Sequence, residues 1–531
     1  MKKILFVILL SVNVLCFAQN NKINPNETIK KLNTTLYIID NYYVDSTDIA
    51  KLTEEAIVAM LKNLDPHSAS IAAKDVKKAN ENHEGSFEGI GVTFQILRDT
   101  ILVVSAVPGG PSEKLGIMAG DRIVTIDGED AFGKKVNTEY VMKRLRGGKG
   151  TKVTLGIKRG NDKELIDYEV VRDKIPLKSV NTYFMVDKKI GYIKLDQFAA
   201  QSVEEFETAL KDLKKQGMKS LVFDLRGNSG GYLQTAFGLG NEFLGSGKTV
   251  VFTEGLKSNK TFYETDRKGD FCDGRLVVLI DEGSASASEI VSGAIQDWDR
   301  GVLIGRRSFG KGLVQRPFTL PDGSVIRLTT ARYHTPTGRC IQRSYDKGSE
   351  DYFKEMTKRL EHGEYYHADS IQFPDSLKYY TLNSGRTVYG GGGIMPDIFM
   401  PVDTSYNSKL LTNLIRKGVF NSYCIEYVLA NREELMKEYP KFDKFDKKFV
   451  VDDAMIEGLK KMAESKEVQW DDEQYQRSEL WIKIRIKGMI AQNLWDIDKY
   501  YRVVSKEDKM IQKAVEVLKS KTEYTDILGV K

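Results

Sequence analysis

The sequence predicts a multidomain α/β protein with helical segments at both ends, on three observations. The stretches KSLVFDLRGNSGGYLQTAFGLGNEFL (219–244) and RLVVLIDEGSASASEIVSGAIQDW (275–298) repeat one unit. Each is a short apolar run rich in β-branched residues, then a Gly-containing turn, then an apolar stretch at helical spacing. Strands and helices alternating in this way build a layered α/β domain. Residues 85–172 are strand-rich and punctuated by glycine, which predicts a mainly β module. Residues 405–531 are charged, aromatic and helical in period. A chain of 531 residues has room for three or four such units.

Taken in order, residues 1–18 read as a signal peptide. Lys2 and Lys3 precede an apolar stretch from Ile4 to Leu15, and Cys16-Phe17-Ala18 supplies small residues for cleavage after Ala18. A lipoprotein reading of Cys16 is weaker, because Val14 and Leu15 are large. The expected destination is the periplasm or cell envelope. No later segment reaches 18 apolar residues, so the mature chain is not expected to span a membrane. Removing residues 1–18 deletes two lysines and no acids, which takes the net charge from +5 to +3 and gives no argument for nucleic acid. Cys272, Cys340 and Cys424 remain; three cysteines without a CxxC are neither a disulfide framework nor a zinc site. The five histidines show no HExxH-type spacing, so no metal or other cofactor is expected.

Residues 19–82 form an N-terminal segment: a polar start, then helical periodicity over 27–64 closed by the turn LDPHS (64–68). In the β module, GIGVTFQI (89–96) and ILVVSAV (101–107) alternate as paired strands, VNTEYVMKRLRG (136–147) reads as a helix and TKVTLGIKR (151–159) as a strand. PSEKLGIMAGDRIVTIDGED (111–130) resembles the middle of a PDZ domain, and the module is bounded at 83–175. PDZ domains add an extended peptide to a sheet edge and receive its terminal carboxylate on backbone N–H groups. By position, Gly89, Ile90, Gly91 and Val92 are that loop and edge strand; the plainer alternative is a Gly-rich hairpin without a ligand.

Within the α/β domain, bounded at 176–404, Ser286 and Lys311 stand 25 residues apart. A serine hydroxyl needs a base, and a lysine serves as one only when burial or neighbours lower its pKa. Ser286 falls near a helix N-terminus, where free N–H groups can hold an oxyanion. Lys311 lies between Gly310 and Gly312, and residues 311, 313 and 315 share a face if the segment is a strand, which places Gln315 beside Lys311. The same residues also fit a capping box, Ser286-x-x-Glu289, and local chemistry leaves Ser284, Ser286 and Ser288 all open as caps.

The run GSASASEIVSGAIQDWDRGVLIGRRSFGKGLVQRPFTLPDGSVIRLTTARYHTPTGR (283–339) resembles the catalytic heart of the carboxyl-terminal processing peptidases, serine proteases with a Ser–Lys centre. That resemblance implies Ser286 as nucleophile, Lys311 as general base and Gln315 as third member. It also implies a crotonase/Clp-protease-like core carrying the PDZ domain. In that family the stretch corresponding to DLRGNSGG (224–231) lines the site, implying an oxyanion hole from Gly230 or Gly231 with the N–H of Ala287. Asp224 and Arg226 would support that turn, and His67 would be structural. The resemblance covers roughly 27–400. The insert 345–385, polar, aromatic and read as irregular, departs from it. The glycine run 390–393 could either lie against substrate or form a flexible turn, and the 405–531 extension packs on the protease core or on another subunit.

A rival nucleophile is Ser229, since GNSGG (227–231) matches the GxSxG elbow between a strand and a helix. An α/β-hydrolase of that kind needs a downstream histidine, with His334, His362 and His367 available. A non-catalytic PDZ scaffold is the other alternative. The reading that absorbs most residues is a serine endopeptidase cleaving exported proteins near their C-termini. Its partners would be proteins with exposed apolar C-termini, with a homo-oligomer and an adaptor protein as further partners to be tested.

Overall fold

The computed structural model describes residues 24–160, 162 and 164–529, so the signal-peptide reading lies outside the described residues. The chain divides at residue 63. The first unit shows two helices, Pro25–Tyr42 and Ile49–Lys62. Asn24 and Asp48 cap them by accepting a backbone N–H, and Pro25 fits the first turn because it has no N–H to satisfy. Ile29, Leu32, Ile38 and Tyr42 of the first helix are all exposed.

The second unit is built on a six-stranded sheet. Its order is Thr182–Asp187, Ile190–Lys194, Ser220–Asp224, Arg275–Ile280, Val302–Gly305 and Ile398–Phe399; only the first pair is antiparallel. Parallel strands are buried on both faces and read as continuous apolar runs. Leu276, Val278 and Ile280 accordingly pack with helices Ser202–Lys215, Leu233–Phe243 and Ala287–Asp297. Val277 and Leu279 point the other way, to helices Lys509–Lys519 and Glu523–Leu528. The last two helices of the extension therefore complete the core of the α/β domain. The segment before them has a core of its own, drawn from Leu410 to Val503.

A second, antiparallel sheet lies beside the first: Ala69–Ile71, Val325–His334, Thr249–Gly255 and Ser258–Glu264, with Leu313–Thr319 also paired to Val325–His334. The β module is entered and left through a ribbon, Ser86–Gly89 against Asp173–Pro176. Its sheet runs Val92–Leu97, Thr100–Ala106, Arg122–Ile126, Lys152–Lys158 and Ile166–Val171, with helix Thr138–Leu145 over a core of Ile101, Val103, Ile123, Val141 and Leu155. The predicted strand 89–96 breaks at Ile90 and Gly91, where Gly91 takes φ 75°.

The insert is not irregular: it holds helix Ser349–Glu361 and a hairpin, Lys378–Tyr380 with Thr387–Tyr389. Apolar periodicity missed this helix because its two buried residues are Tyr352 and Arg359. Cys272, Cys340 and Cys424 are all unpaired.

Candidate active site

Strand Arg275–Ile280 ends in the turn 281–286, and helix Ala287–Asp297 starts at once. Ser286 sits at that junction with φ 54° and ψ −111°, a conformation a residue with a Cβ adopts only under constraint. Its neighbours supply the constraint. Ser284 Oγ donates to Leu225 O at 2.8 Å, and Ser288 Oγ donates to Asn228 O at 2.8 Å. Those two hydroxyls are spent on holding the turn 225–228. Ser286, by contrast, lines a cavity of about 520 Å³, so geometry separates three serines that spacing alone left equivalent.

Lys311 lines the same cavity, as do Gln315, Gly230 and Gly231. Burial, then the charge of Arg327, lowers the Lys311 pKa from 10.5. The positioning of both residues converges on Glu289, which is fully buried. One carboxylate oxygen accepts from the N–H of Ser286 at 2.8 Å and of Lys311 at 2.9 Å. The other accepts from Ser308 Oγ at 2.5 Å and Gly310 N–H at 2.6 Å. Burial pushes the Glu289 pKa above 4.5 against the pull of these four donors. Four donors on two oxygens suit the carboxylate, which is acceptor-only. The Tyr333 hydroxyl adds a second tie: it lies 3.1 Å from Ser286 O and also meets Lys311 O. The capping-box signal contained Glu289 but not its bridging of the two loops.

The turn 227–231 packs directly on the serine. A Cβ on Gly230 would stand 2.8 Å from Ser286 Cβ and 2.9 Å from Ala287 N, and one on Gly231 would strike Phe198 O. Gly230 N–H donates to Asn228 Oδ1 at 2.9 Å. The N–H groups of Gly231 and Ala287 are engaged by no other group of the described residues. Of the two glycines named from sequence, Gly231 is the one with a free donor. Beneath the turn, buried Asp224 accepts from Tyr192 Oη at 2.7 Å and from Arg226 N–H at 2.9 Å, while Arg226 Nη1 donates to Asp508 at 2.8 Å. Burial alone would raise the Asp224 pKa, but Arg226 and Lys194 outweigh it and hold it at about 2.

Strand alternation does not place Gln315 beside Lys311. The strand starts only at Leu313, so Lys311 precedes it, and a bulge between Val314 and Gln315 shifts the alternation. The Gln315 amide donates to Thr329 Oγ1 at 3.2 Å. The glycine run 390–393 does not line the cavity. Ile394 N–H donates to Ser308 Oγ at 2.6 Å, and a Cβ on Gly393 would meet Ser308 O at 2.6 Å, so the run packs on the lysine loop.

Ser229 also lines the cavity, yet the left-handed positions of its turn are Gly227, Gly230 and Gly231, not the serine. None of the downstream histidines lines the cavity. His334 stacks on Phe252, with ring centroids 4.8 Å apart. His67 does not line the cavity: its ring Nε2 lies 2.9 Å from Tyr352 Oη, and burial, then the charge of Lys311, lowers its pKa to about 4. In the β module Ile90 is 2% exposed and its side chain belongs to the core, while its carbonyl accepts from Ser112 N–H at 3.1 Å and Ser112 Oγ at 2.7 Å.

A layered α/β core with a strained serine and a half-buried lysine on one cavity, joined to a PDZ-type module, defines a class of serine peptidase. The sequence pattern of peptidase family S41 matches residues 189–348, that of the PDZ domain residues 89–170, and that of a family of unknown function residues 410–496. The carboxy-terminal-processing protease of Bartonella bacilliformis is 38% identical over 353 residues, covering 64% of this chain and 80% of that protein. The carboxy-terminal processing protease CtpB of Bacillus subtilis is 33% identical over 361 residues, covering 66% and 72%. Among solved structures, the photosystem II D1 C-terminal processing protease is 28% identical, covering 57% of this chain and 88% of that one with a TM-score of 0.34. The chain belongs to the carboxy-terminal processing proteases of peptidase family S41 and is a serine-type protease.

Proposed function

We propose that this chain is an exported endopeptidase that cleaves proteins near their C-termini with Ser286 as nucleophile. Neutral Lys311 takes the Ser286 Oγ proton as oxygen attacks the scissile carbonyl. The tetrahedral oxyanion is held by the N–H groups of Ala287 and Gly231, with Gly230 shaping the turn, and Lys311 returns its proton to the leaving amine. Water then enters, gives a proton to Lys311 and attacks the acyl-enzyme, and the proton returns to Ser286. Gln315 orients the site through Thr329. The PDZ domain takes the apolar-ended substrate tail on the backbone of Gly89, Ile90, Gly91 and Val92. The hydrophobic leader and the cleavage motif at Ala18 support a periplasmic or envelope location.

The observation that carries this reading is the convergence of Ser286 and Lys311 on one buried carboxylate beside one cavity. Ser286→Ala should abolish cleavage of an unfolded protein, and Ser229→Ala should retain substantial activity. A dead Ser229→Ala variant beside an active Ser286→Ala variant would transfer the nucleophile to the turn 227–231.

A further inference from the structure

Among the described residues, no aspartate or glutamate lines the cavity that holds Ser286. It contains three basic side chains: Lys311, Arg327 and His83. His83 is kept below pKa 6.5 by burial, then by Arg327 and Lys311, so it is mostly neutral at pH 7. Lys311 has to be neutral to act as base. Arg327 is different, because a guanidinium does not lose its proton in a protein.

Arg327 is half-buried, and no side chain of the described residues forms an ion pair or hydrogen bond with its guanidinium. The contrast with other arginines of this domain is plain. Arg226, Arg306, Arg339, Arg343, Arg359 and Arg386 each pair with a carboxylate. A cleft lined by charge of one sign draws in a counter-charge.

The register fixes where that charge would meet a substrate. Arg327 stands opposite Pro317, which also lines the cavity. It precedes Thr329, the partner of Gln315, by two residues on the same strand, so both share a face about 7 Å apart. That distance is about two residues of an extended polypeptide lying along the site.

We infer that Arg327 makes the cleavage cavity a carboxylate reader, pairing with an acidic side chain near the scissile bond or with the free end of a short tail. This rests on the assignment of the cavity to cleavage. The other charges acting on Lys311 and His67 are Glu289, Asp65 and Arg343, and none of these lines the cavity.

The test is a series of quenched fluorogenic decapeptides, apolar except for one Glu or Gln walked through each position, each made as C-terminal acid and amide. Wild type should prefer Glu over Gln at one or two adjacent positions by about tenfold in kcat/KM, as buried charge pairs allow. Selectivity that follows the acid–amide pair instead identifies the chain end as the source. Arg327→Gln should lose the preference, Arg327→Lys should keep most of it, and Arg327→Glu should favour Lys peptides. Arg327→Gln should also move the acidic limb of the pH profile to higher pH, because Lys311 loses a positive neighbour. Indifference of the wild type to charge, or full discrimination by Arg327→Gln, overturns the inference. Cleavage by Ser286→Ala would instead overturn the assignment of the cavity, and melting curves show which variants are folded.

Discussion

Glu289→Gln separates two roles for the same residue. If Glu289 only closes a capping box, its loss costs about 1 kcal/mol and leaves chemistry alone. The structure gives it four donors, two on each oxygen. Glutamine keeps one acceptor oxygen and turns an NH₂ group towards two of those donors. Each buried donor left unsatisfied costs about 1–3 kcal/mol, so the bridge reading predicts about 2–6 kcal/mol. The relief available is to separate the Ser286 turn from the Lys311 loop, and a displacement of about 1 Å at reacting groups costs about a hundredfold in rate. The assay is kcat/KM on a fluorogenic peptide, with a thermal melt of the same preparations. The expected outcome is a loss of about a hundredfold with a clearly lower melting temperature. A Glu289→Gln enzyme within threefold of wild type, melting only as much lower as a lost cap allows (about 2–4 °C), would refute the bridge.

Lys311→Arg keeps the charge but supplies no neutral amine, so it should be as inactive as Lys311→Ala. In the wild type, kcat/KM should rise with pH as Lys311 loses its proton. The midpoint should lie below 10.5, because burial and Arg327 both disfavour the charged amine; a midpoint at or above 10.5 contradicts that placement. An apolar-ended peptide should bind full-length Ser286→Ala more tightly as its C-terminal acid than as its amide, because amidation removes the charge that backbone N–H groups receive. Equal affinities in a titration would show that the PDZ domain does not read chain ends.

The strands and helices of the α/β core were legible because their signals are local. LVVLI reads as a strand buried on both faces, and Gly283 marks its end. What stayed hidden depends on contacts between distant segments. The helix Ser349–Glu361 was missed because it buries Arg359, whose guanidinium meets Ser308 O at 2.8 Å and Glu355 at 2.9 Å. Such a position looks solvent-facing to any hydrophobic pattern. Similarly, the spacing of Lys311 and Gln315 suggested a shared face, but a bulge is invisible to a count of residues. Glu289 was visible as a residue and not as a bridge, since three of its four partners, Ser308, Gly310 and Lys311, come from a distant downstream loop.

These hidden contacts share a purpose. A non-glycine residue held at φ 54° carries strain of about 1–3 kcal/mol, so Ser286 persists there only because surrounding groups over-determine it. Glu289 fixes its N–H, Tyr333 lies at its carbonyl, and Gly230, lacking a Cβ, lets the turn 227–231 close against it. The lysine loop is gripped by the same carboxylate, by Arg359 of the insert and by the glycine run through Ser308. The C-terminal segment acts at a third point: Asp508 anchors Arg226 beneath the turn 227–231. It also reaches the PDZ edge strand, where Asn421 donates to Gln95 at 3.1 Å and Arg98 pairs with Glu426 at 3.1 Å. The insert and the extension, which offered no chemistry of their own in the sequence, thus brace the Lys311 loop and the turn 227–231 on either side of Ser286.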